Sequence, residues 1–329
     1  MVMTIVRFNC IQETLDPTEM SGRYRAFVEM SAFAEERAFT QVHLEEHHGA
    51  ENGWSPAPLL MAGMVFARTK TISVDIGALL VPQHDPIRLA EDIAVLDLVS
   101  GGGRFSITTG LGYRPSEYHL LSREWKRRGR LLDEALETML AAWTGEPFEY
   151  KGEMVQVSPV PISDPHPTIL VGGGSPAAAK RAARFGLPFM PDGQFPDLQE
   201  LYEQELERHG KSGFCLMPPA RSEMLFVTED PDRTWAELGR YFMNEAGTYS
   251  AWRKAGGVGH SAVTSDATNI DELRTEGIYR AVTPEQLVGE LRDSPFPAAV
   301  LHPLVGGMPV DEGWNCLELY ANQVLPELT

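Results

Sequence analysis

Apolar and polar positions alternate along this chain with two periods, and the two periods take turns. "MTIVRFNC" (3–10) has strand character, and "GRYRAFVEMSAFAEERA" puts Phe27, Met30, Phe33 and Ala34 on one helical face. "TQVHLEE" is a short strand, "APLLMAGMVFARTK" a helix with a basic last turn, and "TISVDIGALLVP" a long apolar strand. "DPIRLAEDIAVLDLVSGG" starts with Pro86 and ends in glycines, as a helix does, and "RFSITTGLG" is the next strand. The spacing predicts one long helix over 116–143, with a stripe at Leu131, Leu132, Ala135, Leu136, Met139 and Leu140.

The second half keeps the rhythm. "FEYKGEMVQVSP" reads as a hairpin turning at Lys151-Gly152, followed by a proline-rich loop from Pro159 to Pro167. Strands are predicted at "TILVGG", "LPFMP", "EMLFVT" and "AAVLHPL", with helices at "PAAAKRAARFG", 197–209, "PDRTWAELGRYFMNEA" and "GWNCLELYANQVL". Eight strand–helix alternations favour a parallel (β/α)8 TIM barrel of the α/β class over an open sheet. No composition break marks a second domain, so the expectation is one domain over 1–329 with a hairpin insertion at 146–167. Residues 248–277, rich in Gly, Ser and Thr, have the length of an active-site lid loop and are expected to be irregular.

Composition narrows the partners. The chain has 329 residues and a net charge of −18, from 28 basic and 46 acidic side chains, which argues against nucleic acid and anionic membrane surfaces. Cys10, Cys215 and Cys316 lie far apart, with no C-x-x-C pair, which speaks against a disulfide framework and for a reducing cytoplasm. "MVMTIVRFNC" is too short and too interrupted for a signal peptide, and no apolar run approaches the ~18 residues of a membrane span.

Four stretches carry chemistry. "QVHLEEHHGAENGW" (41–54) puts three histidines and two glutamates within 43–48 and admits a metal site, a catalytic site or a solvated loop. His43-Leu44-Glu45-Glu46-His47 fits H-x-x-E-H, but a zinc peptidase needs that motif on a helix, and this one follows strand character and precedes Gly49. At the end of a barrel strand it would stand where such enzymes keep their chemistry. "TILVGGGSPAAAKRAA" (168–183) runs a strand into Gly172, Gly173 and Gly174, with Ser175 suited to the N-cap and Pro176 to the first helical position. Such a start is an anion site suited to a phosphate, or simply a glycine-rich connection ending in a good cap. In "DIGALLVP" the alternation puts Ile72, Val74, Ile76, Ala78 and Leu80 on one side, and Gly77 would let a flat ligand lie against the backbone. In "GLGYRPSEY", Tyr113 and Arg114 are candidate contacts for a ring or an anionic group.

Together these motifs resemble the bacterial luciferase-like flavin-dependent oxidoreductases. "VHLEEHHG" looks like the family's Glu-His-His strand end, "IGALLVPQHDPIRLAEDIAVLDLVSGGGRFSITTGLGYRPSEY" is similar to its most recognisable block, and "TILVGGGSPAAAKRAARFGLP" resembles its phosphate-binding turn. The resemblance implies a (β/α)8 barrel with an insertion. It implies His47 near the flavin's reactive face, a non-proline cis peptide at Gly77-Ala78 behind the ring, and the phosphate on Gly173, Gly174 and Ser175; the loop readings add Tyr113 and Gly172 as cofactor contacts. Where the luciferase subunit has an arginine this chain has Leu111, and where it has a glutamate before the serine this chain has Gly174. Glu-His-His favours FMN over the deazaflavin F-420. The implied activity is a cytoplasmic monooxygenase, likewise a homodimer, that oxygenates a small organic substrate with reduced FMN and O2. A separate NAD(P)H:flavin reductase would supply the flavin, since the chain has no dinucleotide fingerprint. The alternatives are F-420-dependent hydride transfer, a zinc peptidase and a non-catalytic flavin-binding protein. Successive side chains on an extended strand end face opposite ways, so one of His47 and His48 can face the barrel axis, and the resemblance selects His47.

Overall fold

Proline and small polar caps punctuate this chain. In the computed structural model, which describes residues 2–219, 223–257 and 263–328, eight of the eleven α-helices begin on proline, where a missing N–H costs nothing. Asp16, Asp85, Ser175, Asp230, Asn269 and Thr283 precede helices and accept first-turn N–H groups on their side chains. The order is β1 (Met3–Phe8), α1 (Pro17–Glu36), β2 (Gln41–Leu44), α2 (Pro58–Arg68), β3 (Ser73–Leu79), α3 (Pro86–Ser100), β4 (Phe105–Thr109), α4 (Pro115–Leu120) and α5 (Arg128–Ala142). There follow β5 (Phe148–Tyr150), β6 (Glu153–Val155), β7 (Thr168–Gly172), α6 (Pro176–Phe185), β8 (Phe189–Met190), α7 (Pro196–His209) and β9 (Met224–Val227). The chain continues with α8 (Pro231–Ala255), α9 (Ile270–Glu276), β10 (Tyr279–Val282), α10 (Pro284–Asp293), β11 (Ala298–Leu301) and α11 (Val310–Leu319).

The chain gathers into two compact units. One comprises Met1–Pro56, Arg68–Ile72 and Arg221–Thr329, the other Ala57–Ala67 and Ser73–Ala220. In the first unit the parallel strands run β10-β9-β11-β1-β2, with Leu301 of β11 opposite Leu225 of β9 and Val6 of β1 opposite Val42 of β2. Its core stacks Phe8 on Phe27, Phe39 on Tyr320 and Phe226 on Phe242, all edge to face. In the second unit β3-β4-β7-β8 are also parallel, and Phe66 packs edge-on against Phe105. The antiparallel β5–β6 pair is the expected hairpin insertion, and Lys151 (φ 52°) and Gly152 (φ 89°) both take positive φ at its turn.

Four expectations are corrected. The long helix over 116–143 is broken into α4, a 3-10 turn at Trp125–Arg127 and α5, because Ser122 takes φ 54° and ends the first piece. "YRAV" was not foreseen as a strand; β10 pairs with β9, so β9 separates it from β11, its successor in sequence. Residues 248–277 are helical at both ends, since α8 continues to Ala255 and α9 covers Ile270–Glu276; between them 263–269 are irregular as expected, while 258–262 lie outside the described residues. The alternation along β3 holds at buried Val74 and Ile76 and then slips, since Gly77 pairs with Thr108 and Leu79, not Ala78, with Thr109. Among the described residues, no helix is long and apolar enough to cross a membrane.

Candidate active site

In the first unit, polar groups collect where β1, β2 and β11 end, the catalytic end of a barrel strand. β2 stops at Leu44, and the next four residues divide the work. Glu45 accepts from Arg7, at 2.6 Å from Nη2 and 2.8 Å from Nε. Glu46 is buried, with an oxygen 2.9 Å from His48 Nε2. His47 is 6% exposed and its backbone N–H donates to Ser55 O at 3.1 Å. That ring stands edge-on to Trp54, 5.0 Å between centroids, and tilted against Trp252 at 4.9 Å. Trp54 also stacks on Tyr249. Because His43 lies in the extended strand β2, His43 and His47 share no helical face, and the zinc-peptidase reading fails on geometry.

The aromatic wall comes from α8. Glu245, Tyr249 and Trp252 are spaced i, i+4, i+7 and line one stripe of the helix. Glu245, fully buried, receives His302 Nε2 at 2.9 Å, Asn9 Nδ2 at 2.7 Å, the Tyr279 hydroxyl at 3.1 Å and Arg7 Nη1 at 3.2 Å. Burial alone would raise its carboxyl pKa; the facing His302 and Arg7, with hydrogen bonds from His302 and Asn9, outweigh burial and hold it well below the usual carboxylate range. Asn9 follows β1, His302 follows β11 and Tyr279 lies in β10, so the network ties three strands to the helix that walls His47.

In the second unit the Gly77–Ala78 peptide is cis. Its neighbour across the sheet is the end of β4: a Cβ on Gly110 would stand 2.7 Å from Ala78 Cβ, so only glycine fits there. Tyr113 lies half-buried in the following loop, and Arg114 pairs with Glu117 at 2.9 Å. The β7–α6 turn has the predicted cap: Ser175 Oγ accepts from Ala178 N at 3.3 Å, and Pro176 opens the helix. Gly173 takes φ 128°, and a Cβ on Gly172 would meet Thr109 O at 2.7 Å. A Cβ on Gly174 would strike the Asp192 carboxylate. The turn is thus a cradle a side chain would fill, opening onto the first N–H groups of α6, and it fits a phosphate in shape. Asp192 puts one acidic neighbour beside it.

A family model described as luciferase-like monooxygenase matches residues 3–289. The chain belongs to the luciferase-like monooxygenase family. It is 28% identical over 167 residues to N-acetyl-S-alkylcysteine monooxygenase of Bacillus subtilis, covering 50% of this chain and 49% of that one. It is 26% identical over 181 residues to the FMNH(2)-dependent dimethylsulfone monooxygenase of Pseudomonas putida, covering 53% and 48%. The chain thus spans about half the length of these curated relatives. Among solved structures, monooxygenase RslO1 from Streptomyces bottropensis superposes with a TM-score of 0.75 at 22% identity, over 99% of this chain and 100% of that one. The FMN complex of the oxygenating constituent of 3,6-diketocamphane monooxygenase from Pseudomonas putida gives 0.70 at 18%, over 99% and 98%. An F420-dependent secondary alcohol dehydrogenase gives 0.63 at 16%, over 100% and 99%. The fold is therefore the α/β luciferase-like TIM barrel, a barrel as the strand–helix rhythm predicts and luciferase-like as the motif resemblance implies.

Within this luciferase-like chain, the sequence reading missed Trp54, Tyr249 and Trp252 around His47, and the Glu245–His302–Asn9 network. It ended the helix at Ala246, so the i, i+4, i+7 stripe went unread. Extending the apolar spacing six residues further, to Trp252, would have found it.

Proposed function

We propose that this luciferase-like chain is a flavin-dependent monooxygenase that uses reduced FMN and O2 to oxygenate a small organic substrate. The flavin, when bound, supplies the redox chemistry and the activation of oxygen. The observation that carries the reading is the glycine cradle Gly172–Gly174 ahead of a Ser175-capped helix, in a chain of this family. Gly173, Gly174 and Ser175 hold the phosphate; Gly77, Ala78 and Tyr113 meet the ring system. His47 holds or delivers a proton at a ring nitrogen, and Trp54 and Trp252 keep water from it. FMN, not F-420, is favoured by the Glu46-His47-His48 strand end and by relatives named for FMNH2 or monooxygenation. Reduced flavin comes from a separate NAD(P)H:flavin reductase. The unpaired thiols of Cys10, Cys215 and Cys316 suit a cytoplasmic protein. Two copies form a homodimer.

Titration with FMN and with F-420, followed by flavin absorbance and fluorescence, tests the reading. FMN should bind the more tightly, and Ser175→Asp should weaken FMN through charge repulsion at the phosphate. Equal FMN affinity of both proteins would move the phosphate elsewhere, and preference for F-420 would replace oxygenation by hydride transfer.

A further inference from the structure

One buried carboxylate reaches both supports of His47. Besides Asn9, His302, Tyr279 and Arg7, Glu245 on α8 accepts the backbone N–H of Gly306 at 3.3 Å. The residue before it, Asn244, donates through Nδ2 to Gly306 O at 2.8 Å. Asn244 and Glu245 thus take both backbone polar atoms of one glycine in the turn after β11. A Cβ on Gly306 would strike Tyr241 O, so the backbone of α8 lies directly on that turn. Every group that faces the Glu245 carboxylate can donate, and an ionised carboxylate is the side chain that only accepts. The place of α8 against the strand ends is therefore fixed at 244–245.

From that point the fixing runs two ways. Along the helix, Trp252 stands two turns further on the same stripe, half-buried and three residues before α8 ends. A slide or turn of α8 at Glu245 carries with it the ring that covers His47 at 4.9 Å. Across the strands, Arg7 joins Glu245 to Glu45: its Nη1 stands 3.2 Å from Glu245 and its Nη2 2.6 Å from Glu45. Glu45 lies two residues before His47 in the chain. The segment that bears the imidazole and the helix that shields it are held to the same carboxylate, within one compact unit.

We infer that Glu245 is a positioning residue, which acts through Trp252 to hold the wall over His47 and keep water from its imidazole. This takes from the proposed function only the role of His47. A glutamate that served the fold alone would leave the reactivity of His47 untouched as long as the protein stays folded.

The rate at which diethyl pyrocarbonate carbethoxylates His47 in the intact protein, without added flavin, reads the wall. Fragmentation in the mass spectrometer separates His47 from His43 and His48. Exposed His209, in the other unit, sets the scale of the reagent, and alkylation of wholly buried Cys316, in the same unit, reports general opening. Glu245→Gln keeps the shape but turns an amide N–H towards groups that donate. It should raise the His47 rate about tenfold, the worth of one hydrogen bond to a charged group, and leave His209 and Cys316 unchanged. Trp252→Ala should raise the rate at least as far, and adding Glu245→Gln to it should then change the rate by less than about twofold, because the two act in series. Tyr279→Phe, which takes one hydroxyl from the carboxylate, should raise it about threefold and decides the matter if Glu245→Gln does not fold. An unchanged His47 rate in the variant that folds overturns the assignment. A rise of Cys316 in step with His47 overturns it too, since Glu245 would then serve stability. So does a full Glu245→Gln effect in the Trp252→Ala background, or no effect of Trp252→Ala itself. No flavin enters the measurement, so a chain that binds no flavin would lose the proposed function and keep this result, and the reverse holds as well.

Discussion

His47 and His48 are adjacent in sequence and differ in almost everything else. The His47 ring is enclosed between Trp54 and Trp252, while His48 lies beside Glu46 at 2.9 Å. An imidazole walled by indoles is shielded from water, so a proton it carries goes to a reacting partner instead of solvent. His47→Ala should keep near-normal FMN affinity and lose about 10²–10⁴ in turnover, the usual worth of a general acid–base group. His48→Ala should lose little. Single-turnover kinetics with pre-reduced FMN check both, and a dead His48 variant beside an active His47 variant would reverse the assignment. The pair could be told apart from strand alternation and family likeness, but not the reason for the difference. Trp252 is more than 200 residues away in the chain, and no local pattern in "EEHHG" encodes its ring.

At the scale of elements, the end of α1 is informative. Glu35 sits in the last turn, where the helix dipole disfavours a negative charge. It stays because it accepts the backbone N–H groups of Lys70, Thr71 and Ile72, at 2.8, 2.6 and 2.9 Å, and so holds the approach to β3. Burial pushes its pKa up, but the bonds from Ile72, Thr71 and Lys70 outweigh it and lower the carboxyl from 4.5 to about 2. A depressed carboxyl adds stability above its unfolded value, and that stability is lost as pH falls. The difference in urea midpoint between wild type and Glu35→Gln should therefore be full at pH 7 and shrink as pH drops from about 4.5 towards 2. A difference that does not change over that window would mean that the ionised form is not what holds the loop.

At the scale of the molecule, α2 and α3 leave an apolar surface. Leu60 and Met64 of α2, and Val95, Leu98 and Val99 of α3, are exposed, and Gly63 brings α2 against Leu96. A second copy of the chain would bury them, and this is the surface the proposed homodimer would use. Sedimentation should give twice the mass of one chain, and Leu60→Glu with Val95→Glu should give one. A wild-type monomer would remove the homodimer, and an unchanged dimer would place its interface elsewhere. Connectivity also bears on cooperativity. The chain passes between its two compact units four times, and neither unit is a continuous segment. Neither can be synthesised or excised as an independent piece, so calorimetry should show one unfolding transition; two resolved transitions would make them separate domains.

The sequence by itself determined most of the elements and the family. Proline at the first helical turn, Asp, Ser, Asn and Thr caps, and the change of apolar period from two to 3.6 act within a few residues, so they are legible in a linear chain. The same locality made the Ser175 cap, the Gly172–Gly174 cradle and the hairpin turn at Lys151-Gly152 readable. Tertiary structure alone decided that β10 lies on the far side of β9 from β11, because four-residue strands carry no record of which neighbour they choose. It alone decided that the α8 stripe Glu245, Tyr249 and Trp252 meets Asn9, Trp54, His47 and His302. It alone buried both amide atoms of Gln83 with no hydrogen-bond partner among the described residues. Each of these depends on which distant segment arrives to pair with a group or fails to, and burial and hydrogen bonding are settled by that arrival, not by the residues on either side.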